Sequence, residues 1–112
     1  MANRNTSGKI FSEEIIKQVW EKAEIVPGYD PTVIRRDTCG ALVRRDLFDK
    51  KFNSLSMGWQ IDHIKPVSLG GTDDLVNLQP LQWENNFHKG DAYPSWNCRV
   101  GAEGEENQYM RN

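Results

Sequence analysis

Residues 58–91 read GWQIDHIKPVSLGGTDDLVNLQPLQWENNFHKGD, and the order of polar and apolar groups in this stretch decides how the chain is read. Trp59, Ile61 and Ile64, with polar residues between them, predict a strand that ends at Pro66. The segment KPVSLGGTDD, residues 65–74, is turn-rich, and Gly70-Gly71 supplies a tight reversal. Asn77 to Leu81 reads as a short extended piece. QWENNFHK, residues 82–89, has helix-forming character and stops at Gly90, a favourable C-terminal cap. Within that helix Trp83 and Phe87 share a face at i, i+4 and are expected to point into the core.

Both histidines of the chain, His63 and His88, fall inside this stretch, and His63 directly follows Asp62 at the strand end. A carboxylate can anchor an oxygen-seeking ion that keeps several waters. A neutral imidazole can take a proton from one of those waters. A site for metal-assisted phosphodiester hydrolysis and a purely structural Asp-His pair both accommodate these residues. Successive strand residues point to opposite faces, so Asp62 and His63 serve one site only if the strand bends there.

Outside this stretch the sequence sets bounds. At 112 residues and 12.9 kDa there is room for one small domain, and 38% hydrophobic residues suffice for a modest core. No apolar run approaches the roughly 18 residues needed to cross a bilayer. The start, MANRNTSGKIF, has no apolar stretch of signal-peptide length, so the expected location is cytoplasmic. In that reducing compartment Cys39 and Cys98, which form no CxxC pair, are expected to be free thiols. Fourteen Lys and Arg against sixteen Asp and Glu give a net charge of −2, without the basic excess that announces nucleic-acid binding. The distribution is uneven. Residues 31–66 hold seven basic side chains against four acidic ones, whereas 101–112 hold three glutamates against Arg111. The pairs Arg35-Arg36 and Arg44-Arg45 suit phosphate contacts and equally suit a solvated surface.

The N-terminal third reads more simply. Residues 1–11 are polar and expected to be flexible. Ser12 as N-cap, Glu13 and Glu14 in the first turn, and an apolar stripe of Ile15, Ile16, Val19, Trp20 and Ala23 predict an amphipathic helix over 13–24. Residues 32–48 read as short strand or turn pieces and 49–57 as a loop. The expected organisation is one domain over 12–100, followed by an acidic tail over 101–112.

Five elements in order carry a resemblance: Asp62-His63-Ile64, Pro66, Gly70-Gly71, Asn77-Leu78, and Asn86 followed by Lys89-Gly90. Together they resemble the HNH endonuclease family, with a weaker likeness upstream through Asp37 to Ala41 and Gly58-Trp59. The resemblance implies an α+β fold with a ββα-metal core, two antiparallel strands and a helix around one divalent ion, to which the N-terminal amphipathic helix is added. It implies His63 as general base, Asp62 and Asn86 as metal ligands, and Asn77 as the residue that holds His63 in position through backbone hydrogen bonds. The third letter of the motif is Asn86, whose amide oxygen suits Mg²⁺ or Mn²⁺ more than Zn²⁺. Gln82 and Asn85 stand where many family members carry their second CxxC pair, and Cys39 stands alone upstream, so no structural zinc is expected. Lys89, Lys65, His88, Arg35, Arg36, Arg44 and Arg45 are the candidate nucleic-acid contacts. The implied activity is metal-dependent hydrolysis of DNA. The other reading is a catalytically silent nucleic-acid-binding module on the same fold.

Overall fold

The structure is a computed structural model that describes residues 3–51 and 53–111. In chain order its elements are α1 (Glu13–Trp20), β1 (Glu24–Ile25), β2 (Ile34–Arg36), β3 (Leu42–Arg44), β4 (Trp59–His63), β5 (Leu78–Gln82), α2 (Trp83–Lys89), β6 (Val100–Glu103) and β7 (Glu106–Tyr109). This is a small α+β arrangement of three short antiparallel sheets, β1-β2-β3, β4-β5 and β6-β7. Among the described residues no helix is long and apolar enough to cross a membrane.

Capping starts α1, since the Ser12 hydroxyl accepts the Ile15 N–H at 3.2 Å and Glu13 and Glu14 sit in the positive first turn. The helix ends at Trp20, short of the predicted Glu24. There the Lys22 and Ala23 N–H groups bond to Val19 and Trp20, tightening the chain into a turn that leads to the pairing of Glu24 with Arg36. Ile16, Val19 and Trp20 of α1 pack with Phe11 on Val43, Trp59, Ile61 and Leu78. Trp59 is the centre of this core, with the Trp20 ring at 5.2 Å and the Phe48 ring at 4.9 Å. Burying each large apolar side chain there stabilises the fold by about 1.5–3 kcal/mol.

β4 is buried along its whole length because both of its faces are covered. Trp59 and Ile61 meet the core, and Gln60 and Asp62 face α2 through Asn86 and Lys89. That polar strand face explains the polar inner face of α2, whose buried residues are Asn85, Asn86 and Lys89. It also overturns the expectation for Phe87, which is 85% exposed, while Trp83 is half-buried with its indole N–H on the Ser56 hydroxyl.

Both ends of the chain meet the central strands, and one further expectation is corrected. Residues 3–11 reach the sheet: the Asn3 N–H bonds the Ile61 carbonyl and the Asn3 side chain accepts the Ile61 N–H, covering part of the open edge of β4. Met1 and Ala2 of that arm, and Asn112 of the expected tail, lie outside the described residues. The tail itself is the β6-β7 hairpin, anchored by Asn107, whose side chain bonds both the N–H and the carbonyl of Leu42. Cys39 and Cys98 are joined in a disulfide across 59 residues of sequence, which overturns the free thiols and removes the redox ground for a cytoplasmic location.

Beside the disulfide lies a buried polar knot. Asp37 accepts the N–H groups of Cys39, Ala41 and Gln82 and the side-chain amide of Asn85. Asn85 in turn accepts the N–H groups of Arg99 and Val100. Burial pushes the Asp37 carboxyl above the usual range, against the pull of these donors toward the charged form.

Candidate active site

β4 and β5 pair with Asp62 opposite Gln79 and His63 opposite Leu78, and α2 follows β5 directly. The strand ends at His63, and here a pocket of about 90 Å³ opens, lined by Ile61, Asp62, His63, Asn86, Gly90 and Asp91. The two neighbours that alternation sets on opposite faces therefore both reach one cavity, because it lies at the strand end. Asp62 has one oxygen 3.2 Å from the Lys89 ammonium and the other 2.9 Å from the Gln79 amide. Burial pushes its carboxyl above the usual carboxylate range, opposed by Gln79 and Lys89. The Asn86 amide nitrogen donates to the Gln60 oxygen at 2.8 Å, and Gln60 donates in turn to Asp49. This chain sets which end of the Asn86 amide is nitrogen, and its oxygen meets no protein donor among the described residues.

Asn77 works behind the pocket. Its amide oxygen accepts the Lys65 N–H at 2.8 Å, its nitrogen donates to the Lys65 and Thr72 carbonyls, and its own carbonyl accepts the Ile64 N–H. The loop after His63 is thereby closed on itself. Gly70 adopts φ +90°, and at Gly71 a Cβ would lie 1.7 Å from the Lys65 carbonyl oxygen. We expect Gly71→Ala to cost on the order of 1–3 kcal/mol by forcing that backbone apart, measured as a lower urea midpoint. A midpoint equal to the native one would show that the loop has room to spare.

The candidate nucleic-acid contacts divide. Lys89 is 3% exposed and bonded to Asp62 and to the His63 carbonyl, so it is a buried partner of the pocket rather than an outward phosphate contact. The Arg35 guanidinium donates to the carbonyls of Pro31, Glu21 and Ala23. Arg44 pairs with Asp46 at the surface, and the Arg45 guanidinium lies 6.0 Å from the Trp59 ring centroid. The buried Nε of Arg36 has no hydrogen-bond partner among the described residues, and Lys65 and His88 are exposed.

Three contributors escaped the sequence reading. Gln60 and Gln79 orient the Asn86 amide and the Asp62 carboxylate, but a glutamine within a strand has no distinguishing signal. Asp73 lies 2.9 Å from the His63 Nε2, and within Thr72-Asp73-Asp74 nothing separates it from Asp74, whose side chain bonds locally to Thr72.

Compared with known families, residues 39–91 match the model of the HNH endonuclease family. Residues 39–91 are an HNH endonuclease domain by that match. No curated protein and no solved structure matches it. The HNH match points to a nuclease- or nucleic-acid-related function, and HNH domains generally use a divalent metal. Among the described residues no three His, Cys, Asp or Glu side chains are grouped to hold an ion. The oxygen donors lining this HNH pocket are instead the carboxylates of Asp62 and Asp91, the latter accepting the Ser68 hydroxyl, and the undonated amide oxygen of Asn86. Such a sparse set fits a hard ion that retains several waters, as Mg²⁺ does.

Proposed function

We propose that this HNH protein is a metal-dependent endonuclease that hydrolyses DNA phosphodiester bonds, with β4, β5 and α2 as its ββα-metal core. The observation that carries this reading is the meeting of Asp62, His63 and Asn86 at one small pocket. The Asp62 carboxylate and the Asn86 amide oxygen would hold one Mg²⁺ or Mn²⁺ ion. The chemistry such an ion supplies is charge neutralisation at the phosphate and at the departing 3′ oxygen. His63 takes the proton of the attacking water, which requires a neutral imidazole and gives 5′-phosphate and 3′-hydroxyl ends. Asn77 holds the loop that leaves His63, while Gln60 keeps the Asn86 oxygen free of the protein. Arg36, Lys65 and His88, together with Arg44 and Arg45, are the basic groups offered to the DNA backbone.

One observation favours a second reading. The Lys89 ammonium already lies against Asp62 inside the fold, a counter-charge suited to a catalytically silent module that only binds nucleic acid. Supercoiled plasmid incubated with Mg²⁺, Mn²⁺ or EDTA separates the two. Nicked or linear product that EDTA abolishes supports the nuclease, whereas DNA binding without cleavage in either metal selects the silent module. Asn86→Ala is expected to raise the metal concentration for half-maximal cleavage by about tenfold or more while leaving DNA affinity unchanged. A metal titration superimposable on the native one would remove Asn86 from the ligand set.

A further inference from the structure

We propose that Asp73 is the positioning carboxylate for His63, and that Thr6, in the N-terminal arm outside the family match, holds Asp73 in place. The role assigned to Asp73 rests on the nuclease reading, in which His63 is the base; the contact itself does not.

The His63 Nε2 lies 2.9 Å from one Asp73 oxygen. An ionised carboxylate only accepts hydrogen bonds, so Nε2 carries the ring proton and neutral His63 is left with its lone pair on Nδ1. Asp73 cannot swing away freely. The Thr6 N–H reaches both of its oxygens, at 3.0 and 3.1 Å, and the Thr6 hydroxyl donates to one of them at 2.8 Å. Burial works against the Asp73 charge, but the bonds from His63 and Thr6 outweigh it and hold the carboxyl below its usual range. Asp73 therefore stays ionised and does not compete for the proton that His63 takes. The Phe11 ring, at the end of the same arm, packs 6.0 Å from the imidazole centroid. One ring edge is thus hydrogen-bonded and the ring has an aromatic neighbour, and both restraints depend on residues 3–11.

The arm is a built part of the site rather than a lead-in. Asn3 ties its start to Ile61 on β4, Thr6 ties its middle to Asp73, and Phe11 ties its end to the core. Its chemistry resembles the carboxylate that orients a histidine base in other hydrolases: the acid fixes the tautomer and ring angle without touching substrate.

Ring ¹⁵N NMR on the metal-free protein reads the tautomer directly, with the His63→Ala spectrum identifying which of the two histidine signals belongs to His63. The expected result is the Nε2–H form in the native chain and a mixture of forms in Asp73→Ala. In plasmid cleavage Asp73→Ala is expected to lower kcat by about 10- to 100-fold with KM within about twofold of native. Asp73→Glu should recover part of that loss, and Thr6→Val, which keeps the N–H donor, should lower kcat less than Asp73→Ala does. A native Nδ1–H tautomer, or an Asp73→Ala protein whose kcat stays within twofold of native, overturns the proposal. If Asp73→Ala does not fold, the native tautomer still decides. A native chain that cleaves no DNA sinks the nuclease reading, and the NMR result then still confirms or refutes the Asp73 contact.

Discussion

His63→Ala is expected to lower the rate of DNA cleavage by about 10²- to 10⁴-fold, the contribution that a positioned general base makes to proton transfer. DNA affinity should remain, because the basic groups offered to phosphate lie elsewhere, on Arg36, Lys65 and His88. The imidazole is itself buried beside Phe11, so the alanine variant leaves a void, and His63→Gln serves as the volume-conserving partner. Both variants should fail to cleave while only the first loses appreciable stability. Cleavage by either variant within tenfold of the native rate would remove His63 from the mechanism. Loss of DNA binding in step with cleavage would point to a disrupted surface instead of a missing base.

The largest expected effect on stability is at Cys39–Cys98. A bridge across 59 residues restricts the unfolded chain strongly, and opening it, by reduction or as Cys39→Ser with Cys98→Ser, is expected to cost about 4 kcal/mol. The native side of the balance matters equally. Cys98 precedes Arg99 and Val100, whose N–H groups bond Asn85 in α2, while Cys39 sits at the turn that Asp37 closes. The bridge therefore clamps the β6-β7 hairpin and the base of α2 to the sheet containing β3. Urea unfolding with and without reductant measures the cost. A difference below about 1 kcal/mol, or two titratable thiols in the protein purified without reductant, would contradict the pairing. Well below the melting range the reduced protein should keep its cleavage rate, since neither cysteine lines the pocket of Asp62, His63 and Asn86.

These two residue sets were unequally visible in the sequence. The strand-loop-strand-helix order of 58–91 could be read because its signals are local: alternation through Trp59 and Ile61, a Gly-Gly reversal, and a capped helix before Gly90. The helix at 13–20 was legible for the same reason, through Ser12 and the Ile16, Val19, Trp20 stripe. Phe87 was misplaced because helical spacing says which residues share a face but not which face is inside. The inner face of α2 is polar because Gln60 and Asp62 oppose it. Lys89 is a candidate nucleic-acid contact by sequence, and its burial is invisible there because it is set by Asp62, 27 residues earlier in the chain.

By itself the sequence determined the family, the order of the central elements and the residue types available for hydrolysis. These follow from short-range rules of turns, caps and periodicity, together with a motif carried within one continuous stretch. Only the tertiary structure decided that Cys39 meets Cys98, that the acidic end is a hairpin, that the N-terminal arm runs along β4, and that Asp73 faces His63. Each of these is a pairing between distant residues whose local sequence is indifferent to the partner. Such contacts form because the folded chain brings those groups together once its core has closed.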